Sequence, residues 1–225
     1  MAEVTEEPSL RNRIQVFQDR RHAGLILAEK MTEYSEADDT IVLAIPAGGV
    51  AVAHPLAQRL RLPLDVAVTR KLHVPWDPEA GFGAVSWDGQ VFLNEPLARE
   101  IALTHEEVQR SVAEETAAIR RRLQLFRGDK PPPDLRGKTA IIVDDGLASG
   151  YSMLTTLKAL KPHGVRETVV AVPTAPARSI QLIRPHADRI ICLNVRTGRF
   201  FAVADAYRHW YDLTDEEVVG ILRRT

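Results

Sequence analysis

Two hydrophobic periods alternate along this chain. Residues 19–34, DRRHAGLILAEKMTEY, set Leu25, Ala28 and Met31 or Leu27 at helical spacing, whereas 40–45, TIVLAI, is a short unbroken apolar run. A one-sided stripe predicts an amphipathic helix, and an unbroken run predicts a strand covered on both faces. VAVAHPLAQRL then returns to helix and LDVAVT, 64–69, to strand. After an interruption over 72–138 the series resumes with TAIIV (strand), SMLTTLKALKPHG (helix closed by Gly164), ETVVAV (strand), APARSIQLIRP (helix) and DRIICLN (strand). Strand and helix alternating at this interval predict βαβ units, hence an α/β fold with a doubly wound parallel sheet of about five strands.

The interruption opens with HVPWDPEAGFGAVSWDGQVFLNEP. Trp76, Gly81, Gly83 and the turn pair Asp88 and Gly89 predict a loop over 73–83, then a small hairpin. THEEVQRSVAEETAAIRRRLQLF follows as a long helix, with Thr104 and Glu107 as a capping box and Leu103 with Val108 as a staple. Val108, Val112, Ile119 and Leu123 form its apolar stripe. RGDKPPPDLRGK is a stiff connector back to the core. The start LTHEEV recurs as LTDEEV at 213–218, which reads as one good cap used twice, because the flanking residues do not match. Residues 1–12 are expected to form a poorly ordered tail. Residues 13–225 read as one domain, with 72–138 as flap and insertion and 195–225 as a C-terminal hood.

Composition narrows the class. With 225 residues, 45% hydrophobic and 26% charged, the chain can bury a sizeable core. A formal net charge of -1 gives no general attraction to nucleic acid or to an acidic membrane. No apolar run reaches the roughly 18 residues that span a bilayer, and the start lacks an apolar leader. The lone Cys192 excludes an internal disulfide and a cysteine zinc site, so a reducing cytoplasm is the expected compartment. Seven histidines lack metal-ligand spacing. Arg120, Arg121, Arg122, Arg127 and Lys130 read as a solvated helix end that suits the C-terminal dipole. Asp77 and Glu79 read as an acidic surface loop.

Chemistry concentrates in TAIIVDDGLASGYSM, 139–153. Packing gives no reason to set Asp144 beside Asp145 where a buried strand ends. The loop from Gly146 to Ser152 runs straight into a helix, leaving consecutive N–H groups aimed at one spot together with the positive end of the helix dipole. That is an anion site, and phosphate is its natural occupant. Ser149 and Ser152 add hydroxyl donors, and Gly146 and Gly150 permit close approach. Carboxylates beside a phosphate cradle make sense for a sugar phosphate: Asp144 and Asp145 accept hydrogen bonds from two vicinal ribose hydroxyls and help hold Mg²⁺ through water. Rival loops fail on inspection. No lysine stands in the loop as a P-loop needs, GFGAVS lacks the third glycine of a dinucleotide fingerprint, and Leu147 and Tyr151 stand where a nucleophile elbow around Ser149 needs glycines.

IIVDDGLASGYS resembles the PRPP-binding signature of type I phosphoribosyltransferases, and the resemblance runs from FQDRRHAG to DLTDEEV. It is nearest to a group of bacterial phosphoribosyltransferases of undefined substrate. The resemblance implies that Asp144 and Asp145 bind the ribose of PRPP and that Ala148, Ser149, Gly150, Tyr151 and Ser152 bind its 5-phosphate. It implies that AIPAGGV is the pyrophosphate loop, with Ala47 and Gly48 presenting amides through a non-proline cis peptide. Arg70 and Lys71 of TRKL would neutralise pyrophosphate, 73–83 would close as a flap, and Phe201 in the hood would stack on a base. Three departures stand out. Ala47 replaces an arginine common in relatives, Ala148 stands where 6-oxopurine enzymes keep an aspartate, and Tyr151 replaces a smaller residue. The expected activity is Mg²⁺-dependent transfer of ribose 5-phosphate from PRPP to a nitrogen acceptor, with a homodimer as the usual assembly. The rival expectations are a PRPP- or nucleotide-sensing protein without turnover and, more weakly, a sugar-phosphate hydrolase.

Overall fold

The computed structural model describes residues 1–224, and of 78–80 the backbone alone. Nine strands and seven helices follow in order among these residues: β1 (Glu3–Thr5), α1 (Arg20–Glu29), β2 (Thr40–Ala44), α2 (Gly48–Leu60), β3 (Leu64–Val66), β4 (Thr69–Val74), β5 (Asp77–Ser86), β6 (Val91–Leu93), α3 (Glu95–Glu100), α4 (His105–Arg127), β7 (Thr139–Val143), α5 (Tyr151–Leu160), β8 (Glu167–Pro176), α6 (Ala177–Ile183), β9 (Arg189–Arg196) and α7 (Asp215–Leu222). The main sheet has six strands in the order β1-β9-β8-β7-β2-β3, and every pairing in it is parallel.

The unbroken apolar runs do what their pattern predicts. Every residue of β2 and β7 is buried. Val42, Ala44, Ile141 and Val143 face α1 and α2, while Ile41, Leu43, Ala140 and Ile142 face α5 and α6. Helices on both faces of a parallel sheet are the doubly wound arrangement, and they leave the strand ends β2 and β7 side by side with their loops open. No helix among the described residues is long and apolar enough to cross a membrane.

Four expectations change. Residues 1–12, expected as a poorly ordered tail, contain the sixth strand: β1 runs parallel to β9, with Val4 opposite Ile190. Glu7 N–H then donates to Leu193 O at 3.1 Å, and Lys30 pairs with Glu7 at 2.7 Å. Three residues are too few to show a period, and the acidic flanks hide them. The run 64–69 is split, because the chain leaves the sheet after Ala67 donates to Ala44 O and starts β4 at Thr69. The loop expected over 73–83 is instead the body of a second, antiparallel sheet, β4-β5-β6. Gly81 and Gly83 mark close approach there, not a turn: a Cβ on Gly83 would come within 2.5 Å of Phe92 O. The hairpin turn at Asp88 and Gly89 is where it was expected, with Gly89 at φ +84°.

The long helix α4 carries its capping box, Thr104 N–H donating to Glu107 at 2.8 Å and Glu107 N–H to the Thr104 hydroxyl at 3.2 Å. Two of the expected solvated arginines dock it instead. Arg122 pairs with Asp215 of α7 at 2.6 Å and Arg127 with Asp65 of β3 at 3.1 Å. The hood is sewn to the segment before α1: Phe17 N–H donates to Ala206 O at 3.0 Å and Arg208 N–H to Phe17 O at 2.9 Å.

Candidate active site

β7 delivers Asp144 and Asp145 to the end of the sheet, next to the loop between β2 and α2. The Pro46–Ala47 peptide in that loop is cis, as the resemblance implied for this stretch. Its glycines lie directly on the acids. A Cβ on Gly48 would fall on the Asp145 carboxylate, far inside the 3.0 Å that real Cβ atoms respect, and one on Gly49 would lie 2.6 Å from Val143 O. Only glycine lets the two loops touch in this way. Asp145 N–H donates to Asp144 Oδ1 at 2.8 Å, so one oxygen of the first acid is already engaged. Burial, and then the neighbouring Asp145 charge, push the Asp144 carboxyl well above the usual carboxylate range. Burial also raises Asp145, against the pull of Arg20.

The loop between β7 and α5 opens into the helix as its glycines suggested. Gly150 takes φ +83° at the N-cap of α5, a conformation glycine adopts without cost. Ser179 Oγ holds the loop from behind by donating to Ala148 O at 2.8 Å, and Leu147 N–H donates to Thr174 O at 3.0 Å. Among the described residues, the amides of Ala148, Ser149 and Gly150 donate to no protein acceptor, and Ala148, Ser149, Tyr151 and Ser152 are exposed. An orphan row of amides at the start of a ten-residue helix can bind an anion without any cationic side chain.

Arg70 and Lys71 stand on β4, and they share a cavity of about 810 Å³ with Ser149, Tyr151 and Ser152. Arg70 Nε is occupied by Glu115 of α4 at 2.6 Å. Tyr151 is 63% exposed on the cavity wall. Phe201 is half-buried, does not line this cavity, and has the Arg196 guanidinium 6.0 Å from its ring centroid. Asp77 begins β5 and is not part of a surface loop, and the side chain of Glu79 lies outside the described residues.

Sequence reasoning missed the wall behind the acids. Arg20, in the first turn of α1, is 7% exposed and donates from Nε to Asp145 Oδ2 at 2.8 Å. Its other end donates to Tyr211 O at 2.8 Å, and its Cζ lies 3.8 Å from the centroid of Trp210. Tyr207 Oη donates to Asp145 O at 2.5 Å, and burial pushes that phenol well up, which keeps its proton in place. One signal was available: a cation at a helix N-terminus opposes the dipole and needs a compensating anion.

Chemically, this strand end offers acceptors for hydroxyls beside donors for an anion, on a doubly wound parallel sheet. A profile of the Phosphoribosyl transferase domain matches residues 91–209, and the chain belongs to that family. In Mycobacterium tuberculosis H37Rv, the protein named "Putative phosphoribosyl transferase Rv0571c" is 36% identical over 211 residues, which is 94% of this chain and 47% of that protein. The chain thus spans about half the length of the curated relatives it matches. The crystal structure of TT1426 from Thermus thermophilus superposes with a TM-score of 0.78 at 35% identity, covering 92% of this chain and 98% of that one. A hypothetical protein from Neisseria gonorrhoeae, solved with bound ppGpp, shares the fold at a TM-score of 0.50 and 17% identity, over 95% of this chain and 97% of that one.

Proposed function

We propose that this chain transfers ribose 5-phosphate from PRPP to a nitrogen acceptor, a nucleobase in the first instance, with release of pyrophosphate. One observation carries the reading: orphan amides at 148–150 and paired acids at 144 and 145 flank a single strand end. In this reading the amides and the hydroxyls of Ser149 and Ser152 hold the 5-phosphate. Asp144 and Asp145 accept from the ribose hydroxyls and align C1 for in-line attack. The amides of Ala47 and Gly48, with Arg70 and Lys71, receive the charge that develops on the departing diphosphate.

No group of three or more acidic, histidine or cysteine side chains that could hold a metal occurs among the described residues. Two carboxylates fit Mg²⁺ arriving on the substrate's oxygens and held through water, as is usual for that ion, better than a dedicated protein site. Bound so, the ion would neutralise the leaving diphosphate. Phe201 remains a candidate to stack on the acceptor. A homodimer, a cytoplasmic location and no direct role for nucleic acid or membrane complete the proposal.

A binding protein without turnover is the second reading. It is favoured by Ala47, which brings no charge to the diphosphate, and by Arg70, whose guanidinium is taken by Glu115. Incubation with PRPP and Mg²⁺, with and without each nucleobase, separates the readings by pyrophosphate and phosphate release. Base-dependent pyrophosphate supports the transferase, tight PRPP binding without product supports the sensor, and base-independent product indicates hydrolysis.

A further inference from the structure

Arg20 is the buried charge that the proposed chemistry leaves unused. It stands 125 residues from Asp145 in the chain, yet α1 brings its guanidinium onto this second acid of the strand end. A buried guanidinium must be met by acceptors in good geometry, and Arg20 has two plus an aromatic face. What matters is which acceptors these are. One is Asp145 Oδ2, and the other is the backbone of Tyr211, with Trp210 beneath the guanidinium plane.

Asp145 is therefore gripped from one wall at two points, through its carboxylate by Arg20 and through its carbonyl by Tyr207. Gly48 also closes against the same oxygen that Arg20 holds. The neighbouring Asp144 carboxyl also bonds the Asp145 side chain, so the carboxylate plane is fixed from several sides. Tyr207, Trp210 and Tyr211 all belong to the C-terminal segment 195–225, so the same guanidinium ties the sugar-side carboxylate to that segment.

We propose that Arg20 is a positioning residue: it orients the Asp145 carboxylate toward the ribose hydroxyls and locks the hood to that orientation through Trp210 and Tyr211. The inference rests on the ribose reading of the acid pair given above. It predicts a specific defect. Loss of the guanidinium harms recognition of the sugar and spares recognition of the phosphate, because Arg20 reaches the connection between β7 and α5 at Asp145 and bonds none of the groups at 148–150.

The test uses the full chain and two probes, ribose 5-phosphate and inorganic phosphate, titrated by calorimetry. Arg20→Ala is expected to weaken ribose 5-phosphate binding about 10- to 100-fold, the range for losing a hydrogen bond to a buried charged group, with phosphate affinity unchanged. Millimolar guanidinium should restore part of the loss. Arg20→Lys keeps the charge but cannot serve Asp145 and Tyr211 together, and is expected to fall between wild type and Arg20→Ala. If Arg20→Ala does not fold, Arg20→Lys and Trp210→Leu carry the test, each expected to lose ribose 5-phosphate affinity selectively. Unchanged ribose 5-phosphate affinity in the folded variants, or equal losses for both probes, overturns the proposal. Wild-type protein that binds phosphate and shows no preference for ribose 5-phosphate overturns the ribose reading itself and this inference with it.

Discussion

Replacing Gly48 by alanine adds one methyl group where the structure has least room. The new Cβ would collide with the Asp145 carboxylate, whose oxygen cannot swing away while Arg20 holds it at 2.8 Å and Tyr207 holds the adjoining carbonyl at 2.5 Å. Either the loop between β2 and α2 retreats or the ion pair opens. Overpacking alone costs about 1–3 kcal/mol, and opening a buried ion pair about 3–5 kcal/mol, so a net loss of about 2–4 kcal/mol is expected. For a chain of this length that lowers Tm by about 5–15 °C. Gly220→Ala is the matched control: its Cβ would meet nothing closer than Arg224 at 4.0 Å, inside α7, where alanine gains about 1 kcal/mol over glycine. Calorimetric melting of both variants reads the difference directly. A Gly48→Ala protein that melts with the wild type, and binds PRPP as well, would refute the contact between the two loops.

Two further outcomes follow from the charges at the site. The raised Asp144 carboxyl means that the folded chain holds this proton more tightly than the unfolded chain. Its contribution to stability is full below the unfolded pKa of about 3.9 and is lost as pH rises through the raised folded value. At pH 7 the raised carboxyl therefore costs stability, so Asp144→Asn should raise Tm there by about 2–4 °C and give no gain near pH 3; an unchanged or lower Tm at pH 7 contradicts the assignment. Glu115→Gln should release Arg70 and tighten pyrophosphate binding about 2- to 5-fold, the worth of a partly exposed ion pair, and calorimetry showing weaker binding would mean that Arg70 does not face the diphosphate.

The buried centre of the fold was legible because its signals are local. TIVLAI and TAIIV declare strands covered on both faces, and DDGLASGYS declares a strand end followed by an open helix start. What stayed hidden depends on contacts between distant segments. β1 is three residues long and exists only because β9 offers an edge. The glycines of GFGAVS looked like loop residues and are places where neighbouring strands crowd the backbone. Arg20 and Asp145 are 125 residues apart, and no spacing rule joins them. Glu115 stands in register with the apolar stripe of α4, between Val112 and Ile119, but nothing local says that the cation it meets is Arg70, 45 residues earlier.

The proposed transfer requires the acid pair to hold a pentose while the neighbouring amides hold its phosphate. Calorimetric titration of PRPP with Mg²⁺ into the wild type and into the Asp144→Asn, Asp145→Asn double variant tests this most directly. Binding to the wild type, and its loss in a double variant that remains folded, is the expected result. No binding to the wild type, or equal affinity in both proteins, would contradict it.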